Sequence, residues 1–384
     1  MKVVVVGAGM AGLTTAALLG RTGSHEVVVL EHADAFGEVG YGIGLYPLGS
    51  AVFHALGTYD DLASRSTTFG TYEVHGPDGQ VLQTVDLAAL LADFGPMLGV
   101  SRADIIDVLL SSVPADAVRF DQHAVEVHAV EGGVAVVTAG GDTVEGDVAV
   151  AADGMHSALR ASIFGEVRMH DTGFDAWMWW APPGAVSPDV VAEYWGPSAF
   201  VGLYPMAHGI NVAVAVPREL SPAPDADAAE IVGSLRSTVA EHAPGAAAIA
   251  GLWETGESRP FLWPMQDVRA PDITALGDRV ALCGDSGIGF LPTAGVGASN
   301  ALRSAAALAY DLSLADAASA PLAIARWRQR VRKLVDKNQE DSRELARVMM
   351  VKHGATSAVV NAVMKHAPVT MMTSSIVKSM QVPF

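Results

Sequence analysis

The chain has 384 residues, half of them hydrophobic, with a formal net charge of -18, and a length of that order fits about two domains. An acidic surface repels phosphate backbones, so nucleic acid is not an expected partner. The single cysteine, Cys283, excludes an intrachain disulfide and any CxxC metal or redox motif, and fits a reducing, cytoplasmic compartment.

The first expected element is the apolar run Val3–Val6. Glycines at 7, 9 and 12 interrupt it and no cleavage site follows, so it reads as a buried strand rather than a signal peptide. A helical pattern from Leu13 to Gly20 and a second strand, Val27–Leu30, complete a βαβ opening. Between strand and helix lies Gly7-Ala8-Gly9-Met10-Ala11-Gly12. Gly7 permits the tight turn, Gly9 lets a pyrophosphate approach the backbone, and Gly12 allows close helix packing. The helix N-terminus adds amide donors and positive potential. Glu31 closes the second strand, where a carboxylate can accept from the ribose hydroxyls of an adenine nucleotide. Dinucleotide binding follows, without a choice between FAD and NAD(P).

Further along come Gly40-Tyr41-Gly42-Ile43-Gly44-Leu45-Tyr46-Pro47 and Ser101-Arg102-Ala103-Asp104. Residues 72–98 and 167–265 alternate apolar and polar residues without a nucleotide motif and predict a sheet. A short strand at 147–152 runs into the turn Asp153-Gly154, with Arg160 beyond it. Aromatic residues concentrate at Trp177, Trp179, Trp180, Tyr194, Trp195, Phe200 and Tyr204, with Trp263 near the end of the sheet. Alternation puts Trp177 and Trp179 on one face and Trp180 on the other, so only one set can line a cavity. His208, in a turn, is expected to be exposed, and no side chain stands out as a general base.

A third segment, Arg279-Val280-Ala281-Leu282-Cys283-Gly284-Asp285, leads through Pro292 to Gly295-Val296-Gly297-Ala298-Ser299-Asn300 and an Ala/Leu-rich helix. That helix is predicted to begin around Gly295, where its free amides and dipole can stabilise negative charge. Beyond Pro321 the chain is basic and helical, with Arg326, Arg328, Arg330, Arg332 and Lys333, and it ends in a Met-rich run that Pro368 divides in two. No stretch of 18 apolar residues marks a membrane span.

The three segments, in this order and at these separations, resemble the flavoprotein monooxygenases of the p-hydroxybenzoate hydroxylase type, class A or FAD-binding-3, over most of residues 1–335. The resemblance implies an α/β fold: a Rossmann-like FAD-binding domain (1–71, 99–166 and 266–335), an inserted β-sheet substrate domain (72–98 and 167–265) and a C-terminal helical tail (336–384). FAD is then the cofactor, with NAD(P)H as a transient co-substrate and O2 as the oxidant. The implied reaction is hydroxylation or epoxidation of a bulky apolar or aromatic small molecule through a C4a-hydroperoxyflavin, with the protein orienting substrate and excluding water. No metal is implied.

Carried over by match, Gly7, Ala8, Gly9, Met10, Ala11, Gly12 and Glu31 hold the ADP half of FAD. Gly284 and Asp285 take the ribityl chain, Arg102 and Asp153 stand near the flavin and pyrophosphates, and Ala124 near the adenine. Pro292, Gly295, Val296, Gly297 and Ala298 border the isoalloxazine. Tyr41, Tyr46, Trp177, Trp179, Tyr204 and Pro292 are the substrate-pocket candidates.

Ile288 stands where the family commonly has histidine, which leaves a non-redox, FAD-dependent cyclase or rearrangement enzyme as the alternative. Trp177-Met178-Trp179-Trp180-Ala181-Pro182 partly resembles a halogenase signature, but no lysine lies between Lys2 and Lys333 to serve such chemistry. Gly284-Asp285-Ser286-Gly287 resembles a protease nucleophile loop only by spelling, since it lies between a strand and a glycine-led helix. A monomer or homodimer is expected. The excess of arginine over lysine hints at a GC-rich bacterial genome and natural-product tailoring.

Overall fold

The computed structural model describes residues 1–37, 41–253, 259–366 and 377. Gly40, and Pro368, Met371, Met372 and Met380 of the C-terminal run, lie outside the described residues.

Val3, Val4, Val5 and Val6 are all buried, but in two different cores. Alternation along the strand Lys2–Val6 turns Val3 and Val5 toward the helices Met10–Thr22 and Gly297–Ser313. Val4 and Val6 face a three-stranded sheet of Ala124–Val130, Gly133–Thr138 and Thr143–Gly146. A strand covered on both faces is apolar at every position, which is why this run lacks a polar alternate. Each such valine contributes up to about 1.5–3 kcal/mol by leaving water.

The six-stranded sheet runs in the order Thr274–Ala275, Val280–Leu282, Val148–Ala151, Lys2–Val6, Glu26–Leu30, Val118–Arg119. All neighbours are parallel except the antiparallel edge strand Thr274–Ala275. Three adjacent strands, Val280–Leu282, Val148–Ala151 and Lys2–Val6, therefore end on the same side. The loops that leave them carry Gly284, Asp153 and Gly7. Open parallel sheets bind ligands outside their carboxyl ends, so the sheet order itself gathers the three motifs.

The second large sheet has seven strands in the order Phe261–Asp267, His170–Ala181, Gly209–Pro217, Ala199–Met206, Val190–Gly196, Thr71–His75, Val81–Asp86. Only Val190–Gly196 and Thr71–His75 pair in parallel. Its alternating sequence is legible as strands, but the same stretch also contains the helix Ala228–His242, which covers one face through Ile231, Leu235 and Val239. That helix starts at Asp227, whose carboxylate accepts from the Glu230 amide.

The expected division at 335/336 falls inside one helix, Ala320–Met349. Its inward face continues unbroken from Trp327, Val331 and Val335 to Gln339, Ser342, Ala346 and Met349, with no glycine or interior proline to stop it. The following helix, Gly354–His366, is tied to the seven-stranded sheet by Gln83, whose side-chain amide donates to the Met364 carbonyl at 2.6 Å.

Candidate functional site

The Gly7 to Gly12 loop is shaped by contacts that only glycine permits. Gly7 has φ +97°, and a Cβ there would lie 2.5 Å from the Ala152 carbonyl oxygen. A Cβ on Gly12 would collide with the Gly7 carbonyl. Gly9 differs: a Cβ there would have nothing within 4 Å. Its missing side chain leaves open space above the tip of the helix Met10–Thr22. That helix has no side-chain cap and no acid in its first turn, so its amides and positive end face the opening. Glu31, 8% exposed, accepts from the Ala8 amide at 2.7 Å and the Ala33 amide at 3.0 Å. Ala124 is buried beside it, on a segment anchored by the Gln122 amide donating to the Glu31 carbonyl at 2.8 Å.

Gly284, at φ +67°, sits between the N-terminal portions of two helices: a Cβ there would lie 3.0 Å from Ala11 and 3.6 Å from Ala301. Next to it Asp285 is half-buried, and no described residue hydrogen-bonds its carboxylate. Burial pushes its carboxyl up to about 6, against the pull of the Arg160 charge. Arg160 donates to the Ser286 carbonyl at 2.9 Å and the Met155 carbonyl at 2.6 Å, clasping the Asp153 loop to the Asp285 loop. Asp153 accepts from the Leu159 amide through Oδ2 at 3.1 Å, while Oδ1 is buried without a partner, and burial raises its carboxyl.

Pro292 and Gly295 are exposed at the rim, Gly295 in the left-handed region. The helix begins at Gly297 rather than Gly295, because Gly295 closes a short 3-10 turn first, and like Met10–Thr22 it has no side-chain cap. The long helix holds this loop from behind. Thr293 Oγ1 donates to the Ser342 carbonyl at 2.8 Å, Ser342 Oγ to the Leu291 carbonyl at 2.8 Å, and Gln339 Nε2 to the Gly289 carbonyl at 2.6 Å. Ile288 is buried with Phe290 and Trp327 around a cavity of about 20 Å³, a packing role on the side of the loop occupied by the helix core.

Across the opening, Tyr41 stacks on Phe261 at 5.8 Å and meets Trp263 edge-on at 5.4 Å. Burial pushes its hydroxyl up to about 12, and the charge of Arg102 beside it pulls the other way. The Arg102 amide donates to the Tyr41 carbonyl at 3.0 Å. Tyr46 donates to the Ala294 carbonyl at 3.5 Å, reaching the loop after Pro292.

Register separates the aromatic residues of the seven-stranded sheet. Trp179 pairs with Val212, which pairs with Leu203, all on the face under the helix Ala228–His242. The indole N–H of Trp177 donates to Ser221 Oγ at 3.0 Å, and that of Trp179 to the Leu252 carbonyl at 2.9 Å. The expectation that Trp177 and Trp179 line the pocket is therefore corrected: both are core residues of the helix-covered face. Trp180 pairs with Asn211, which pairs with Tyr204, on the opposite face. Gly42 packs against Asn211 and Met206 there, which brings the Tyr41 to Tyr46 segment onto it. His208 is exposed in its turn.

One residue of this face was not foreseen. Glu193, buried, accepts from the Tyr72 hydroxyl at 2.6 Å, the Tyr204 hydroxyl at 2.9 Å and the Trp195 indole at 3.1 Å. The available signal was a lone acid inside the apolar strand Val190–Gly196. Among the described residues no helix is long and apolar enough to cross a membrane, and no group of side chains is arranged to hold a metal ion.

The FAD binding domain family matches residues 1–326. The chain is 31% identical over 320 residues to the 3-amino-4-hydroxybenzoate 2-monooxygenase of Streptomyces cremeus, spanning 79% of this chain and 76% of that protein. It is 30% identical over 360 residues to the 3-amino-4-hydroxybenzoate 2-monooxygenase PtnB3 of Streptomyces platensis, 89% of this chain and 88% of that protein. Matches to fungal FAD-dependent monooxygenases are shorter and cover less than half of each of those proteins. Klebsiella pneumoniae HpxO, solved with FAD and uric acid, aligns with a TM-score of 0.89 at 22% identity over 100% of this chain and 97% of that one. At that identity the likeness shows the fold.

Proposed function

Because this chain belongs to the FAD binding domain family and is an FAD-dependent monooxygenase, we propose that it uses NAD(P)H and O2 to hydroxylate or epoxidise an aromatic small molecule in the cleft between its two large sheets. The observation that carries this reading is the convergence at Gly284. Two long helices, both led by glycine and neither capped by a side chain, point their amides into the opening beside the Asp285 carboxylate, which no described residue hydrogen-bonds.

In this reading the Gly7 to Gly12 loop takes the pyrophosphate, for which the space above Gly9 and the free amides of Met10–Thr22 are suited. Glu31 and Ala124 flank the adenosine, and Asp285 accepts from the ribityl hydroxyls. Asp153 lies in the neighbouring loop, with Oδ1 left to accept a further donor. Arg102 and Tyr41 border the ring, and the amides at the start of Gly297–Ser313 stabilise negative charge on its pyrimidine edge. Bound FAD supplies the redox and oxygen-activating chemistry. The chain orients the substrate: Tyr46, Pro292, Trp180 and Tyr204 border the space beside the flavin loop, and the aromatic walls limit water. Residues 1–71, 99–166 and 266–335 then serve the cofactor, and the seven-stranded sheet serves the substrate.

The test is rapid mixing of purified, FAD-loaded protein with NAD(P)H and candidate aromatic substrates, followed by oxygen. The expected outcome is flavin reduction by NAD(P)H and incorporation of one oxygen atom from O2 into product. A flavin that NAD(P)H never reduces, with product formed in the absence of oxygen, would instead assign a non-redox rearrangement.

A further inference from the structure

The inward face of the helix Ala320–Met349 changes character where it passes loop 289–295. Before that point it carries Trp327, Val331 and Val335, and after it Ala346 and Met349, all apolar. Between them lie Asn338, Gln339 and Ser342, at 8%, 0% and 0% exposure. Apolar side chains would serve packing alone, since a buried polar group costs stability unless it is hydrogen-bonded. Here the partners are in place, and most belong to the loop and the residues that follow it. Gln339 Nε2 donates to the Gly289 carbonyl at 2.6 Å and the Val268 carbonyl at 2.8 Å, and Oε1 accepts from Arg269 Nε at 2.6 Å. Ser342 Oγ donates to the Leu291 carbonyl and Thr293 Oγ1 to the Ser342 carbonyl, each at 2.8 Å. Asn338 donates to Asn300 Oδ1, and Asn300 to the Val296 carbonyl, each at 2.9 Å. The loop does not fix itself: Pro292 has no N–H, and the carbonyls of Gly289 and Leu291 find donors on the helix. The Gln339 amide also reaches Asp267 Oδ1 at 3.3 Å, at the end of the strand Phe261–Asp267, whose Phe261 and Trp263 meet Tyr41. Asp267 is held in turn by Arg343 Nε at 2.8 Å. One buried side chain thus ties the loop to the seven-stranded sheet.

We propose that Gln339, Ser342 and Thr293 are positioning residues that act through loop 289–295 to set the reduction potential of the bound flavin. The inference rests on the reading above, in which this loop and the start of Gly297–Ser313 border the ring. Hydride transfer from NAD(P)H adds two electrons and one proton to the ring and releases NAD(P)+, leaving one negative charge on the reduced flavin. Amides at the head of Gly297–Ser313 stabilise that charge most when they are already fixed in place and need not reorganise. A fully satisfied buried network on the far side of the loop supplies that rigidity. Removing one of its hydroxyls loosens the loop, so the reduced form loses stabilisation and the potential falls.

The test measures the potential of the FAD-loaded protein by anaerobic equilibration with a reference dye, after flavin content has been read from the visible spectrum. Protein that takes up no flavin would remove the cofactor reading; flavin bound with an indifferent potential would remove this inference alone. Thr293→Val keeps the shape and removes the hydroxyl, and Ser342→Ala removes the donor to Leu291. In each the potential is expected to fall by about 30 mV, a tenfold change in the reduced-to-oxidised ratio of a two-electron couple. Gln339→Leu, which strips donors from Gly289 and Val268 together, should lower it by at least as much. Thr293→Ser, which keeps the hydroxyl, should hold the parent value. Trp177→Ala, which empties a core site on the helix-covered face of the sheet, is the control and should melt lower with its potential unmoved. A potential unchanged or raised in Thr293→Val, Ser342→Ala and Gln339→Leu would overturn the proposal, as would an equal fall in Trp177→Ala or in Thr293→Ser. Thr293 is only half-buried, so its two variants decide the matter even where a change on the helix prevents folding.

Discussion

In the proposed reading the Gly7 to Gly12 loop and the open face of the seven-stranded sheet border one cleft, and they are built from opposite materials. The loop is backbone: its shape comes from absent side chains and its charge from helix amides. The sheet face is side chain: its polarity comes from one carboxylate and the hydroxyls and indole that surround it. A backbone site tolerates almost no change in shape, whereas a side-chain site tolerates changes in shape and responds to changes in charge.

The most severe way to test that contrast is Gly12→Ala. The added methyl meets the Gly7 carbonyl, which cannot move because Gly7 is itself wedged at Ala152. A stability loss of about 4 kcal/mol or more is expected, with little flavin-loaded protein recovered, as read by thermal unfolding and flavin content. Trp177→Ala should cost about 3 kcal/mol through the cavity it leaves, yet the purified variant should keep its flavin spectrum, because Trp177 faces the helix rather than the cleft. A flavin spectrum displaced as strongly as by a cleft ligand would return Trp177 to the pocket.

Gly9→Ala sharpens the comparison within the loop. No protein atom opposes the methyl, so the FAD-free chain should melt as before while FAD affinity, measured by reconstitution, falls by about tenfold or more. Unchanged affinity would remove the pyrophosphate from this loop.

The smallest effect is that of pH on Asp285. Its carboxyl in the FAD-free fold titrates at about 6, above the ordinary 3.8. Ionisation therefore works against the FAD-free fold above about 6, and that penalty fades as pH falls toward 3.8. Binding has the opposite sign, since ribityl hydroxyls need the carboxylate as acceptor. FAD affinity should rise with pH up to about 6, by no more than tenfold per unit, and level off above it. In Asp285→Asn the rise should vanish, which reconstitution titrations across pH will show.

The sequence by itself determined the glycine loop at residues 7–12, the acid at Glu31, the three motif segments, the central strands of the parallel sheet and the sheet character of residues 72–98 and 167–265. Glycine at a forced position and period-two burial are local properties, written residue by residue. It could not determine which face of the seven-stranded sheet meets the cleft, because alternation places Trp177 and Trp180 on opposite faces without saying what covers either. The helix Ala228–His242 decided that, taking Trp177 and Trp179 into its core and leaving Trp180, Tyr204 and Glu193 to the other side. The lone acid in Val190–Gly196 was visible, but its partners come from residue 72 on one neighbouring strand, 204 on the other and 195 on its own strand. Only sheet pairing brings residue 72 against it, since hydrogen bonds between distant strands depend on register and carry no trace in the local pattern.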